Sequence, residues 1–132
     1  MKVYKLETHT MRELVIKGSR HYNKRTALGW VKGKSFSYKE MGDYAFAVSE
    51  RLKKAGLSKG DKIAILSENR PEWGMAYLGI TAGGFTAVPI LNEFGADQIR
   101  NILKHAECKA AFVSEQLSAK ALPLCEGLTV IS

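Results

Sequence analysis

Charged, amide and aromatic side chains cluster in the stretch Ser67–Trp73, which reads S-E-N-R-P-E-W. The stretch directly follows a short apolar run, residues 62–66, that is typical of a buried parallel strand. Open α/β sheets bind ligands beyond the carboxyl ends of their strands, so this position favours contact with a substrate. The side chains that we select as candidates for such contact are Glu68, Asn69, Arg70 and Trp73.

The same residue types also fit a purely structural role. Asn69 and Glu72 have the spacing of two capping groups at the start of a helix, and Trp73 is suited to anchor a core. A second loop, residues 90–94, follows the next predicted strand and contains Asn92, the fifth candidate for substrate contact. For both loops, ligand binding and a structural role stay open as alternatives.

Several kinds of catalytic site are not predicted. A phosphate-binding loop places glycines between a strand and the helix that follows, whereas the Gly- and Lys-containing segment 56–62 leads from a helix into a strand. Ser67 follows a strand but lacks the flanking glycine of a nucleophile elbow. His9, His21 and His105 lie in unrelated segments and are expected at the surface. We therefore predict no catalytic residue in this chain.

Metal binding and membrane spanning are not predicted either. The two cysteines, Cys108 and Cys125, have no C-x-x-C spacing, and only His105 is near one of them, so we expect buried or half-buried thiols in a reducing compartment. No apolar run reaches the roughly 18 residues that span a bilayer, and the start of the chain lacks the apolar stretch of a signal peptide. We expect a cytoplasmic protein, with association to a membrane left open.

The net charge of +7 is distributed unevenly along the chain. Residues 1–62 carry 15 Lys and Arg against 6 Asp and Glu, whereas residues 63–132 carry 5 against 7. The basic residues are spread singly over predicted helix and hairpin positions, which is typical of a solvated surface. Nucleic-acid binding is therefore not predicted. Attraction of acidic substrates or lipid headgroups stays open.

The pattern of apolar residues predicts a single α/β domain with a parallel sheet and a small amino-terminal β-hairpin. A helix is predicted over residues 10–22, followed by a hairpin that turns at residues 32–34. The strands are expected to start near residues 62, 85, 110 and 128, at spacings that accommodate the helices of βαβ units. The chain ends directly after an apolar strand, so we expect it to be cut from a longer protein.

The helix after the hairpin has the clearest boundaries. Ser37 and Glu40 form the S-x-x-E capping box, and Gly56 supplies a left-handed turn after the last residue. The helix is expected over residues 38–55. Its inward face is predicted to comprise Met41, Tyr44, Ala45, Val48, Leu52 and Ala55.

Several motifs resemble those of AMP-forming acyl-CoA synthetases in the adenylate-forming ligase superfamily. Residues 36–41, F-S-Y-K-E-M, resemble the family's L-T-Y-x-E-L motif, and residues 56–64 resemble its G-[LV]-x-x-G-D-x-V-A stretch. The S-E-N-R-P-E-W stretch looks like the version found in long-chain fatty acid CoA ligases. Residues 82–90 resemble their A-G-G-x-x-V-P-I segment, and the whole similarity covers roughly residues 10–114.

The resemblance implies that residues 1–132 are the amino-terminal portion of an AMP-binding domain, cut off before the ATP phosphate loop. The full-length protein would activate a fatty carboxylate with ATP and Mg²⁺ to an acyl-adenylate, and CoA thiol would then displace AMP. The partners implied are the fatty acid and the remainder of the same polypeptide. We expect no cofactor on this chain and no turnover by it alone. Peripheral membrane contact and a homodimer stay open.

Two alternatives accompany this interpretation. Aryl-CoA ligases and peptide-synthetase adenylation domains share the opening motifs, and residues 91–94 depart from the Y-P-T type of stretch common in the family, so the acyl chain length stays open. The second alternative is a freestanding α/β binding module that holds an anionic ligand or partner on its basic first half.

Overall fold

The computed structural model describes residues 5–132, which form an α/β fold with two sheets. The smaller sheet is the antiparallel hairpin of β1 (Thr26–Gly29) and β2 (Ser35–Ser37). The larger sheet contains β3 (Lys62–Leu66), β4 (Thr86–Ile90), β5 (Ala110–Val113) and β6 (Thr129–Ile131). The helices are α1 (Met11–His21), α2 (Tyr38–Lys54), α3 (Pro71–Ala82), α4 (Ala96–His105) and α5 (Ser118–Ala121), the last flanked by the 3-10 turns Glu115–Leu117 and Leu122–Leu124.

The four strands of the larger sheet are parallel and lie in the order β4-β3-β5-β6. Ile63 of β3 lies opposite Ala87 of β4 on one side and opposite Ala110 of β5 on the other. Because parallel neighbours point the same way, the carboxyl ends of all four strands meet at one edge of the sheet. The predicted α/β class, the parallel sheet and the hairpin are confirmed.

Local capping explains where the first helices begin. The Thr10 side chain accepts a hydrogen bond from the Glu13 backbone at the start of α1. At the start of α2, the Glu40 N–H donates to Ser37 Oγ at 3.1 Å and the Ser37 N–H donates to Glu40 Oε2 at 2.8 Å. This reciprocal pair is the predicted capping box. Gly56 follows α2 with a φ of +86°, as expected.

The start of α3 differs from the prediction. Arg70, not Asn69, precedes the first residue of the helix, and its side chain makes no capping hydrogen bond. The cause is Pro71, which disfavours helical backbone in the residue before it and holds Arg70 extended at φ −151°. Asn69 therefore lies one residue too early to cap, and Glu72 bonds to Arg70 instead.

The inward face of α2 also differs from the prediction. Tyr44 is 42% exposed and Ala55 is exposed, whereas Ser49 on the same helix is buried. The buried stripe is turned toward the contacts of α2 with α1 and α3, where Ser49 bonds to Gly79, and Ala55 lies beyond the last residue of the helix.

The core lies on both faces of the sheet. One face packs against α4 and contains Cys108 and Cys125, both buried free thiols as expected. The other face packs against α2 and α3 through residues such as Leu52, Ile65 and Ile80. Covering both faces is what a parallel sheet requires, because its strands are apolar throughout.

The helices α2 and α3 approach each other closely at Gly79. A Cβ added to Gly79 would lie 2.5 Å from Val48 Cβ and 2.6 Å from the Ala45 carbonyl oxygen, so a side chain does not fit there. Ser49 Oγ donates a 2.6 Å hydrogen bond to the Gly79 carbonyl across the same contact. The contact fixes the position of α3, and with it the position of the loop before α3.

We predict that Gly79→Ala lowers the free energy of unfolding by roughly 1 to 3 kcal/mol, because the new methyl group overpacks the contact. Urea denaturation followed by circular dichroism measures the loss. The matched control is Gly74→Ala in the same helix, whose Cβ would meet Leu28 Cδ1 at an ordinary 3.4 Å. The control should keep or gain stability, since alanine favours helix. Equal losses in both variants would contradict the close-contact explanation.

Candidate functional site

An open groove of about 570 Å³ lies at the carboxyl edge of the larger sheet. We call it the carboxyl-edge groove. Its walls come from α2, the first turns of α3, and the ends of β5 and β6. Most of its lining is apolar or aromatic, including Tyr44, Trp73, Ala76, Phe112, Leu122 and Val130. An apolar lining of this kind suits hydrocarbon or aromatic groups better than phosphates.

A polar network at the rim joins the loop after β3 to the loop after β5. Ser114 Oγ donates to Glu68 Oε2 at 2.6 Å, although the two residues are 46 positions apart. Arg70 bridges two carboxylates: its Nη1 lies 3.3 Å from Glu68 Oε1 and its Nε donates to Glu72 Oε2 at 2.9 Å. The Ser114 N–H also donates to the Leu66 carbonyl at 3.0 Å, which strengthens the tie between the loops.

The charges of this network stabilise one another. Burial raises the pKa of Glu68, but the hydrogen bond from Ser114 and the charge of Arg70 outweigh it, so the pKa lies below its usual value. The hydrogen bond from Arg70 lowers the pKa of Glu72, and the same bond raises the pKa of Arg70. Because two carboxylates already neutralise Arg70, this guanidinium is poorly placed to bind the carboxylate of a substrate.

The aromatic part of the site is built on α3. Trp73 lies in the first turn, half-buried, and its ring stacks on Tyr77 one turn later with centroids 5.6 Å apart and planes 6° apart. Trp73 lines the carboxyl-edge groove. Both Trp73 and Tyr77 also pack against the hydrophobic core beneath α2 and α3. Trp73 is therefore a core anchor that also forms a wall of the groove, and its contact with a ligand stays a prediction.

The structure brings together three of the five candidates. Glu68, Arg70 and Trp73 lie at or beside the carboxyl-edge groove. Asn69 is exposed and does not line it. Asn92 follows β4, the edge strand farthest from β6, and its carbonyl accepts a 2.9 Å hydrogen bond from Lys120 Nζ. Asn92 does not line the groove, although β4 is the neighbour of β3.

Sequence reasoning missed Ser114, which completes the rim, and Phe112, which lines the groove. The signal for Ser114 was present, because Ser114 follows β5 just as Ser67 follows β3. Applying the carboxyl-edge rule to every strand would have found it. Tyr44 was predicted to face the core and instead lines the groove.

The described part of the chain contains neither a metal-binding cluster nor a membrane-spanning helix. Within residues 5–132, no three His, Cys, Asp or Glu side chains are grouped so that they could hold a metal ion. None of the helices in that range is both long and apolar enough to cross a membrane.

The chain is thus an open α/β protein with a groove at the carboxyl edge of its parallel sheet, which is the edge where proteins of this class bind ligands. Residues 17–131 match the family model described as AMP-binding enzyme. Since the match covers most of the chain, the protein belongs to this family of adenylate-forming enzymes, as the motifs indicated.

Two curated relatives illustrate the similarity. The chain is 33% identical over 86 residues to long chain acyl-CoA synthetase 3 of Arabidopsis thaliana, covering 65% of this chain and 13% of the relative. It is 31% identical over 101 residues to the probable CoA ligase CCL6 of Humulus lupulus, covering 73% of this chain and 15% of the relative. The chain thus spans about a seventh of the length of these relatives.

Solved structures confirm the fold. A benzoate CoA ligase from Burkholderia xenovorans superimposes with a TM-score of 0.84 at 18% identity, over 92% of this chain and 25% of that one. The amino-terminal subdomain of Klebsiella oxytoca NpsA superimposes with a TM-score of 0.80 at 20% identity, over 96% of this chain and 33% of that one. Both similarities concern the arrangement of helices and strands.

We predict that Ser114→Ala lowers the free energy of unfolding by about 1 kcal/mol near pH 7, because it removes a hydrogen bond to a carboxylate. The pKa of Glu68 is lower in the folded state than the value of about 4.3 in an unfolded chain. The stabilisation from its ionised form is therefore fully present above about pH 4.3 and is lost as the pH falls through the folded-state pKa.

Urea denaturation of both proteins at pH 7 and at pH 3 tests this prediction. The stability difference between the original chain and Ser114→Ala should shrink on acidification. Glu115→Gln, which changes an exposed carboxylate one residue farther along, is the control and should leave the stability nearly unchanged. A difference that stays constant between the two pH values would exclude Glu68 as the titrating partner.

Proposed function

We propose that this chain is the amino-terminal part of an AMP-forming ligase that joins long-chain fatty acids to CoA. The observation that carries the proposal is the S-E-N-R-P-E-W stretch between β3 and α3, in a chain whose family is that of AMP-binding enzymes. The similarity to a long chain acyl-CoA synthetase supports the choice of acid. The two buried free thiols support a cytoplasmic location.

The full polypeptide would bind ATP, Mg²⁺ and CoA, activate the carboxylate as an acyl-adenylate, and pass the acyl group to the CoA thiol. The residues described here do not fit ATP or Mg²⁺. Within residues 5–132 no glycine-rich loop leads from a strand into a helix, and no cluster of acidic side chains is arranged for a metal. We therefore assign no chemical step to the side chains of this chain.

In this proposal, residues 1–132 position the loops and the apolar wall of the carboxyl-edge groove within the full polypeptide. Glu68, Arg70 and Ser114 hold the loops after β3 and β5 in one arrangement, and Trp73 supplies an apolar wall of the carboxyl-edge groove. Asn69 and Asn92 have no part in this proposal, because they lie outside the groove. An apolar wall is the surface that an acyl chain, or an apolar segment of the rest of the polypeptide, would cover.

The test is to express the gene product that contains this chain together with all residues encoded downstream. We expect AMP and acyl-CoA to form from ATP, CoA and fatty acids, with kcat/KM highest for the long chains. Benzoate serves as the comparison substrate for an aryl-CoA ligase. A higher kcat/KM for benzoate than for fatty acids would show that the substrate is an aryl acid. If no acid gave AMP, the proposed ligase activity would be wrong.

The isolated chain provides a second arm of the same test. Residues 1–132 alone should show no acid-dependent exchange of pyrophosphate into ATP above the background without protein, because the clamping of phosphate charge that such chemistry needs is missing. Circular dichroism first verifies that the isolated chain is folded. Exchange above background would show that a complete adenylating site exists within these residues.

A further inference from the structure

The turn between β1 and β2 exposes apolar side chains. This turn, residues 30–34, reads W-V-K-G-K and is called the hairpin tip below. Val31 is 94% exposed and Trp30 is 46% exposed. An aromatic and an aliphatic side chain that lie next to each other at the outermost point of a hairpin are able to enter an apolar phase together.

The backbone holds this tip in a defined conformation. The Trp30 N–H donates to the Lys34 carbonyl at 2.9 Å, and the Gly33 N–H donates to the Trp30 carbonyl at 3.2 Å. Lys32 has a φ of +56°, at a turn position where glycine or asparagine is preferred. Gly33 is required because a Cβ there would lie 2.7 Å from Trp30 Cβ.

The tip is also the centre of the most basic segment of the chain. Residues 20–39 contain six Lys and Arg and no Asp or Glu. The Lys39 N–H donates to the Asn23 carbonyl, so the two ends of this segment lie side by side at the base of the hairpin. In the described range no carboxylate forms an ion pair with Lys32 or Lys34, although the charge of Lys34 is close enough to lower the pKa of Glu72.

We propose that the hairpin tip binds the surface of a bilayer that contains anionic lipids. Trp30 and Val31 enter the interface, where tryptophan is preferred because its ring is apolar and its N–H is polar. Lys32 and Lys34 remain at the level of the headgroups and attract their negative charge. A bilayer fits better than a nucleic acid, because Val31, the most exposed large hydrophobic side chain of the described residues, has no ring on which a base could stack.

Binding of the hairpin tip to a bilayer does not depend on which acid the full polypeptide activates. Binding is tested on residues 1–132 by sedimentation with vesicles of phosphatidylcholine alone and with vesicles of phosphatidylcholine mixed three to one with phosphatidylserine. We expect binding to the mixed vesicles at low salt and weaker binding to the neutral ones. Binding to neither kind would overturn the proposal, as would binding to single-stranded RNA that the mixed vesicles fail to displace.

Paired substitutions locate the contact. Val31→Asp should weaken the partition onto mixed vesicles about tenfold, because an apolar side chain is lost from the interface and a like charge is added. It should not unfold the protein, because Val31 packs against almost nothing. Leu91→Asp is the control: Leu91 is 60% exposed but lies in the loop after β4. Equal weakening by both variants would overturn the assignment to the tip.

The two tryptophans serve as reporters of insertion. Trp30→Phe leaves Trp73 as the remaining tryptophan, and Trp73→Phe leaves Trp30. On mixed vesicles made with brominated acyl chains, fluorescence should be quenched strongly in the variant that retains Trp30 and weakly in the one that retains Trp73. The opposite order would show that the face of the molecule near the carboxyl-edge groove enters the bilayer instead.

Lys32→Gly separates membrane binding from folding. The partition should fall about fivefold, since one lysine near an anionic surface contributes about 1 kcal/mol. The urea midpoint should be no lower than that of the original chain, because glycine adopts a positive φ freely. Unchanged partition would overturn the role assigned to the lysine.

Discussion

The parallel pairing of β3 with β4 on one side and with β5 on the other determines where the polar side chains of this chain can meet. Parallel strands place their carboxyl ends at one edge, so the loops after β3 and β5 become neighbours although they are far apart in sequence. The hydrogen bond from Ser114 to Glu68 is a direct consequence of this constraint. An antiparallel arrangement would have put these two loops at opposite ends of the sheet.

Two kinds of contact hold the rim together: the sheet brings Ser114 to Glu68, and near neighbours in the chain pair Arg70 with Glu68 and Glu72. Three ionisable groups, Glu68, Arg70 and Glu72, satisfy one another within hydrogen-bonding distance. A partly buried guanidinium between two carboxylates keeps its loop in place, but it has little remaining capacity to recognise a third anion. The unsatisfied surface beside it is apolar, formed by Trp73 and its neighbours. Hydrophobic contact is therefore the interaction that this edge offers to a ligand or to the rest of the polypeptide.

The periodicity of the sequence was sufficient to predict the helices and strands: β3 spans the predicted residues 62–66, and β5 starts at the predicted residue 110. Short apolar runs between turn signals are local features, and so is the capping box at Ser37. The misses arise from tertiary contacts. Tyr44 borders the groove because the buried face of α2 is turned toward α1 and α3. Asn69 fails to cap because Pro71 moves the start of the helix by one residue. Which candidates would line the groove could not be predicted from the strands alone, because β4 and β5 both lie beside β3, yet the groove includes the end of β5 and not Asn92.

The hairpin and the carboxyl-edge groove are joined through α3. Leu28 of β1 packs beside Gly74, one residue after the groove-lining Trp73, and the charge of Lys34 acts on Glu72 in the same helical turn. A bilayer that holds the hairpin tip would therefore lie near the start of α3. Long acyl chains dissolve poorly in water and accumulate in membranes, because each buried methylene group contributes about 0.8 kcal/mol. If the proposed membrane contact and the proposed fatty acid substrate are both correct, the apolar groove lies beside the hairpin that holds the bilayer, where the concentration of such molecules is highest.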